Sequence, residues 1–67
     1  MNTVQIWRHK TSGDQYVVEV DDTGKVVKAS SELHYTEVEK AREVGVVNPE
    51  PEQAEWMNEN AEDFILG

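Results

Sequence analysis

Apolar and polar residues alternate along most of the first thirty positions of the chain. The alternation covers residues 3–9, 15–20 and 25–29, and all three segments contain valine. A period of two is typical of β-strands that bury one face. The sequence therefore predicts three short strands, and the segments QYVVEV and KVVKA form the hairpin on which the others depend.

Two glycine-containing loops join these segments and set the expected register. Thr11-Ser12-Gly13 and Asp22-Thr23-Gly24 both fit a three-residue hairpin loop with glycine in the left-handed position. Opposite charges flank both loops and favour one register: Lys10 with Asp14, and Asp21 with Lys25. Counting back from the loops gives the expected pairs: Trp7 with Val17, Ile6 with Val18, Val4 with Val20, Val20 with Val26, Glu19 with Val27, and Val17 with Ala29.

This register divides the sheet into two faces. The predicted core face carries Val4, Ile6, Tyr16, Val18, Val20 and Val26. The opposite face carries a smaller apolar cluster: Trp7, Val17, Val27 and Ala29. One helix on each face would cover this cluster, whereas a single helical layer would leave it exposed as a contact surface. Both arrangements fit the sequence.

The period changes to that of helices after position 36. Thr36 and Glu39 form a capping box that predicts a helix over about 37–44, and Gly45 is placed to end it. Asn48-Pro49 predicts the start of a second helix over about 49–65. Its apolar stripe is Ala54, Met57, Ala61, Phe64 and Ile65. Asn58 and Asn60 are weak helix formers, and a break of the helix near them is the alternative.

These elements predict an α+β fold in a single small domain spanning residues 1–67. A three-stranded antiparallel β-meander is followed by two helices that pack on the sheet. A chain of this size builds only a small core, and 37% of its residues are apolar. A homodimer or another partner that completes the core is therefore one alternative to an independent domain. The apolar residues 64–66 at the end also allow this to be an N-terminal domain of a longer protein.

All of the net charge lies in the second half of the chain. Residues 1–30 hold four basic and four acidic residues, whereas residues 31–67 hold two basic and ten acidic ones, so the sums are 0 and −8. Clustered lysine and arginine are needed to bind a phosphate backbone. Direct binding of nucleic acid is therefore not expected, and the acidic half favours a basic protein surface as partner.

The sequence contains no recognisable catalytic or metal-binding constellation. There is no cysteine, and the histidines His9 and His34 lack the spacing of a triad or of a His-x-x-x-His metal site. Asp21-Asp22-Thr23-Gly24 fits a turn better than a calcium loop, because the later ligands are missing. We expect no metal, no cofactor and no enzymatic activity.

The leading hypothesis is a non-enzymatic protein–protein interaction module in the cytoplasm. Its candidate contact residues are an aromatic-apolar patch and an acidic helical surface: Trp7, Val17, Val27, Ala29, Trp56, Glu52, Glu55 and Glu59. One alternative is an acidic inhibitor or nucleic-acid mimic that blocks a basic surface. Others are a small ligand-binding or enzymatic domain using His9 or His34, and nucleic-acid contact through residues 7–10. No secretory leader and no apolar run of membrane-spanning length is recognisable.

Overall fold

Four antiparallel strands form one sheet that has a helix on each face. The computed structural model describes residues 1–30, 35–47 and 49–66, and only the backbone of Tyr35. The elements are β1 (Thr3–His9), β2 (Gln15–Val20), β3 (Val26–Ala29), α1 (Tyr35–Val44), α2 (Pro51–Glu59), a 3-10 turn (Ala61–Asp63) and β4 (Phe64–Leu66). The strand order is β3-β2-β1-β4. The predicted α+β class with an antiparallel sheet and two helices is confirmed, but the predicted number of three strands is wrong.

The fourth strand replaces the end of the predicted second helix. The backbone N–H and the side-chain amide of Asn60 both donate to the Trp56 carbonyl, and α2 ends at Glu59. The chain then turns and pairs with β1, with His9 opposite Phe64 and Trp7 opposite Leu66. The prediction of a helix to position 65 is therefore wrong. The backbone groups of residues 64–66 find hydrogen-bond partners on the edge of β1. The local helical pattern does not reveal these partners.

The first loop is one residue longer than predicted, and this shifts the register of β1. The His9 N–H donates to the Asp14 carbonyl (2.8 Å), so four residues form the loop. The His9 imidazole orders them, because its Nδ1 accepts from the N–H groups of Thr11 (3.2 Å) and Ser12 (3.3 Å). A shift of one residue exchanges the two faces of a strand. Trp7 consequently lies opposite Tyr16 rather than Val17, and Ile6 lies opposite Val17 rather than Val18.

The second loop has the predicted form, but a bulge follows it. The Asp21 N–H donates to the Lys25 carbonyl (3.0 Å), and Val20 pairs with Val26 as predicted. Beyond this pair the register shifts, so that Glu19 lies opposite Lys28 and Val18 opposite Ala29. Val27 is the extra residue of this β-bulge. The predicted pairs of Glu19 with Val27 and of Val17 with Ala29 are therefore wrong.

The helix ends follow the predicted chemistry only in part. Gly45 ends α1 in a left-handed conformation (φ +79°) as predicted, and its N–H donates to the Ala41 carbonyl. Thr36, however, lies inside the first turn of α1, which begins at Tyr35. Helix α2 begins at Pro51, with Glu50 as the cap residue, rather than at position 49. The predicted cap Asn48 and the candidate His34 lie outside the described residues.

Each helix covers its own part of the core. On the α2 face the buried cluster contains Tyr16, Val18, Val20, Val26, Ala29, Ala54, Met57 and Phe64, with Trp7 packed against it. On the α1 face it contains Ile6, Val17, Val38 and Ala41, with Val46 packed against it. The larger cluster lies under the acidic helix α2. The sheet is thus packed on both faces, and the larger apolar layer is the one that positions the residues described next.

Candidate functional site

The apolar patch predicted around Trp7 is not a continuous exposed surface. Val17 and Ala29 are 2% and 0% exposed and belong to opposite layers of the core. Trp7 is half-buried, and its indole N–H donates to the Gln5 side chain (2.9 Å). Val27 is exposed on the bulge. The expectation that these four residues share one sheet face is wrong, because the register of β1 shifts by one residue and the bulge displaces β3 relative to β2.

Five rings from three strands and one helix form an aromatic cluster at the end of the sheet near the first loop. Phe64 lies at its centre and contacts the other four rings, with centroid distances of 5.1 Å to His9, 5.3 Å to Trp56, 5.8 Å to Trp7 and 5.8 Å to Tyr16. The contacts with His9, Trp56 and Tyr16 are edge-to-face and that with Trp7 is tilted by 40°. Ring contacts of this kind stabilise a fixed arrangement of the side chains. Phe64 and Tyr16 are buried, whereas Trp56 remains 37% exposed.

The Trp56 ring packs against His9 and Tyr16, and part of it is exposed to solvent. Its ring is parallel to the His9 imidazole, at an interplanar angle of 4° and a centroid distance of 6.4 Å. Tyr16 meets it at a steep angle, with centroids 6.1 Å apart. The indole is thus fixed before any partner binds, and fixing it in advance lowers the entropy lost when a partner immobilises a contact residue.

Three exposed carboxylates lie on the solvent side of α2 next to Trp56. Glu52 and Glu59 lie four residues before and three residues after it, which places them beside the indole on the same side of the helix. Glu55 lies next to them, on the exposed side away from buried Ala54 and Met57. We call Trp56, Glu52, Glu55 and Glu59 the acidic helix face.

The carboxylates of the acidic helix face have no cationic partners in the part of the chain that the structure describes. The ion pairs there join Asp22 to the N-terminal amine, Glu19 to Lys28 and Glu39 to Arg42, and none involves α2. Three like charges along two turns of one helix repel one another. A cation supplied from outside would relieve this repulsion.

The other candidate site residues either have structural roles or lie outside the described residues. The Asp21 carboxylate accepts from the Thr23 hydroxyl (2.6 Å) and from the N–H groups of Thr23 and Lys25. These bonds, first among them that from the Thr23 hydroxyl, lower the pKa of Asp21. The carboxylate thus closes the turn. Among residues 1–30, 35–47 and 49–66, no three histidine, aspartate or glutamate side chains converge to hold a metal ion.

Sequence reasoning found the members of the acidic helix face but missed the aromatic cluster beneath it. The cluster depends on the strand conformation of Phe64, which was predicted in a helix. The signal that could have found it is the run Phe64-Ile65-Leu66, which begins four residues after the second of two weak helix formers, Asn58 and Asn60. A short apolar run of that kind fits a strand as well as a helix.

Comparison with known proteins adds no relative. No protein-family model, no curated protein and no solved structure matches the chain. A helix long and apolar enough to cross a bilayer does not occur in the described ranges.

Proposed function

We propose that the protein is a non-enzymatic interaction module that binds a basic segment of a partner protein on the acidic helix face. The observation that carries this proposal is the position of Trp56, a partly exposed indole fixed by Phe64 and His9. The carboxylates beside it form no ion pair within the described residues. Tryptophan is enriched among the residues that dominate binding energy at protein interfaces. Carboxylates around it select a cationic partner.

The chemistry of the site fits lysine or arginine side chains. The face of an indole attracts an ammonium or guanidinium group by a cation–π interaction. A neighbouring glutamate then supplies a charge-assisted hydrogen bond to the same cation. Both interactions lose strength if the partner segment is neutral, so the site discriminates by charge.

The spacing of the carboxylates limits the length of the partner segment. Glu52 and Glu59 are seven residues apart, which corresponds to about 10 Å along a helix axis. A polyproline II segment rises about 3.1 Å per residue with three residues per turn, so it covers that distance in about three residues and presents both side chains on the same side. The site therefore fits a segment with basic residues at positions i and i+3.

A peptide titration followed by NMR tests the proposal. The probe is a synthetic peptide with lysine or arginine at i and i+3, and the control peptide carries glutamine there. The Trp56 indole signal should move on binding, whereas that of Trp7, whose N–H is bonded to Gln5, should change little. Affinity should fall as salt is added.

Two double variants with the same net charge distinguish binding at the acidic helix face from general attraction by the charge of the whole chain. The double variant Glu52→Gln/Glu59→Gln should weaken binding at least about tenfold at low salt, because it removes local partners of the bound cations. Glu39→Gln/Glu43→Gln on α1 changes the net charge equally and should have an effect of at most about threefold. Equal losses in both variants, or no binding at low salt, would contradict the proposal.

This proposal also accommodates an acidic protein that blocks a basic, nucleic-acid-binding surface. In that case the partner's nucleic acid would compete with the protein for the same surface. Absence of enzymatic activity and location in the cytoplasm stay predictions.

A further inference from the structure

The two hairpin loops are built in the same way around different acceptors. In the first loop, the Nδ1 atom of His9 accepts from the N–H groups of Thr11 (3.2 Å) and Ser12 (3.3 Å). In the second loop, the Asp21 carboxylate accepts from the N–H of Thr23 (2.9 Å). Both acceptors thus bond the backbone N–H two residues ahead, as aspartate and asparagine do in an Asx turn. A histidine takes that place in the first loop.

These hydrogen bonds determine where His9 can take up a proton. A backbone N–H can only donate, so Nδ1 holds a lone pair and the proton of the neutral ring lies on Nε2. A second proton can bind only at Nδ1, and both ring nitrogens are then donors. The imidazolium must therefore give up its bonds to Thr11 and Ser12. Histidine side chains ordinarily take up this proton between about pH 5 and 8.

The same ring packs against two members of the aromatic cluster. Its plane is parallel to the Trp56 indole, at 4° and a centroid distance of 6.4 Å, and it meets Phe64 edge-to-face at 5.1 Å. A proton on His9 therefore places a positive charge beside the indole of the acidic helix face. The loop is also joined to the segment before β4, because the Lys10 N–H donates to the Asp63 carbonyl (2.9 Å).

The elements packed against His9 carry mostly acidic side chains. They are Glu52, Glu55 and Glu59 on α2, Glu62 and Asp63 in the 3-10 turn, and Lys10 and Asp14 at the loop. Among the residues that the structure describes, no carboxylate forms an ion pair with the imidazole. A change of charge on His9 therefore acts on the loop N–H groups and on Trp56 directly, without breaking a salt bridge.

We propose that His9 is a pH-sensitive switch: in mildly acidic surroundings it releases the first loop and lowers the affinity of the acidic helix face for a basic segment. Release of the loop requires only the free chain. The change in affinity rests on the proposed function, because the imidazolium competes with a lysine or arginine side chain for the Trp56 indole and repels it.

An NMR titration of the free chain between about pH 7.5 and pH 5.5 tests the release of the loop. At the upper pH, the nitrogen shifts of His9 should show an unprotonated Nδ1. As the pH falls, the amide signals of Thr11 and Ser12 should move with the same midpoint as the His9 ring. The Thr23 amide is the internal control and should stay in place, because hydrogen bonds lower the pKa of its acceptor Asp21.

Two substitutions of His9 separate the acceptor from the aromatic ring. His9→Asn keeps an acceptor for the Thr11 N–H, and His9→Phe keeps a ring beside Trp56, but neither side chain takes up a proton. The loop amides and the Trp56 indole should therefore not respond to pH in either variant. His34 is present in all three proteins and supplies a common background. Circular dichroism checks the fold, and one folded variant is sufficient for the comparison.

The affinity for the basic peptide, measured at both pH values, tests the regulation. Binding to the wild-type chain should be at least about threefold weaker at the lower pH, whereas binding to a folded variant should change by less than about 1.5-fold. A peptide that binds the wild-type chain equally well at both pH values overturns the proposed regulation and leaves the proposed function intact.

Two other outcomes are distinct from that one. Absence of binding at both pH values contradicts the proposed function and the change in affinity together, whereas the loop titration is read without a partner. Wild-type loop amides that ignore pH, or loop amides that move equally in a folded variant, overturn the switch itself.

Discussion

The side chain of Asn58 pairs with the backbone of Val26 as a neighbouring strand would. Its amide oxygen accepts from the Val26 N–H and its amide nitrogen donates to the Val26 carbonyl, at 2.9 and 2.8 Å. One residue of α2 therefore satisfies both outward-facing backbone groups at one point on the edge of β3. It also fixes the helix at this point on the sheet, directly beside buried Met57.

Replacement of Asn58 by alanine should destabilise the fold by about 1–3 kcal/mol, because it leaves a partly buried donor and acceptor without partners. Urea unfolding followed by circular dichroism measures the loss. Asn60→Ala is the control, since its amide bonds an exposed carbonyl of Trp56, and it should lower stability by less than about 1 kcal/mol. Similar losses in the two variants would show that Asn58 does not act by closing the edge.

The two layers of the core should differ in stability. Met57 is 0% exposed in the larger cluster, and Met57→Ala should cost about 2–5 kcal/mol, enough to unfold much of a domain this small. Val38 belongs to the smaller cluster under α1, and Val38→Ala should cost about 1–2 kcal/mol.

Hydrogen exchange distinguishes local from global opening in these variants. In Val38→Ala the amides of α1 should exchange faster while those of β2 and α2 keep their protection. In Met57→Ala all of these amides should lose protection. If α1 stayed as protected as β2 in Val38→Ala, the two layers would unfold as one unit.

The stability of the second hairpin should depend on the ionisation of Asp21. Hydrogen bonds from the Thr23 hydroxyl and from backbone N–H groups lower the pKa of Asp21 below its ordinary value of 3.8. A carboxylate with a lowered folded-state pKa stabilises the fold fully above the unfolded-state pKa, and this contribution is lost as pH falls through the folded-state pKa. The wild-type chain should therefore lose stability below about pH 4 more steeply than Asp21→Asn does.

Urea midpoints measured between about pH 2 and pH 7 test this dependence. Thr23→Val removes the hydroxyl donor and keeps the backbone donors, so its pH dependence should lie between those of wild type and Asp21→Asn. An identical acid response in all three proteins would exclude Asp21 as a source of the pH dependence.

The first three strands could be predicted from the sequence because their alternation is local, but the register of β1 could not. That register depends on the length of the first loop, and the loop is lengthened by His9, whose Nδ1 accepts from two N–H groups. Nothing in the local pattern distinguishes a histidine that organises a loop from one that ends a strand. Because the predicted loop was one residue too short, Trp7 and Ile6 were assigned to the wrong faces of the sheet.

The acidic part of the candidate site could also be predicted, whereas its aromatic part could not. Glu52, Glu55 and Glu59 follow from helical spacing and from the charge of the second half. The aromatic cluster requires Phe64 to lie beside β1, and this pairing joins residues 55 positions apart, His9 and Phe64. Ala54, Met57, Ala61 and Phe64 keep helical spacing, so the local pattern favours a helix at Phe64. Only the pairing of Phe64 with His9 of β1 makes this segment a strand.

The closure of both sheet edges by the same C-terminal segment has a consequence for synthesis of the chain. Residues 1–30 contain the whole meander and are made before Asn58 and β4, which close part of each of its two outer edges. At a typical rate of synthesis, residues 51–66 require about 1–3 s. During that interval a meander that has already formed presents two uncovered edges, so the chain is most exposed to strand-mediated aggregation before residues 51–66 have been added.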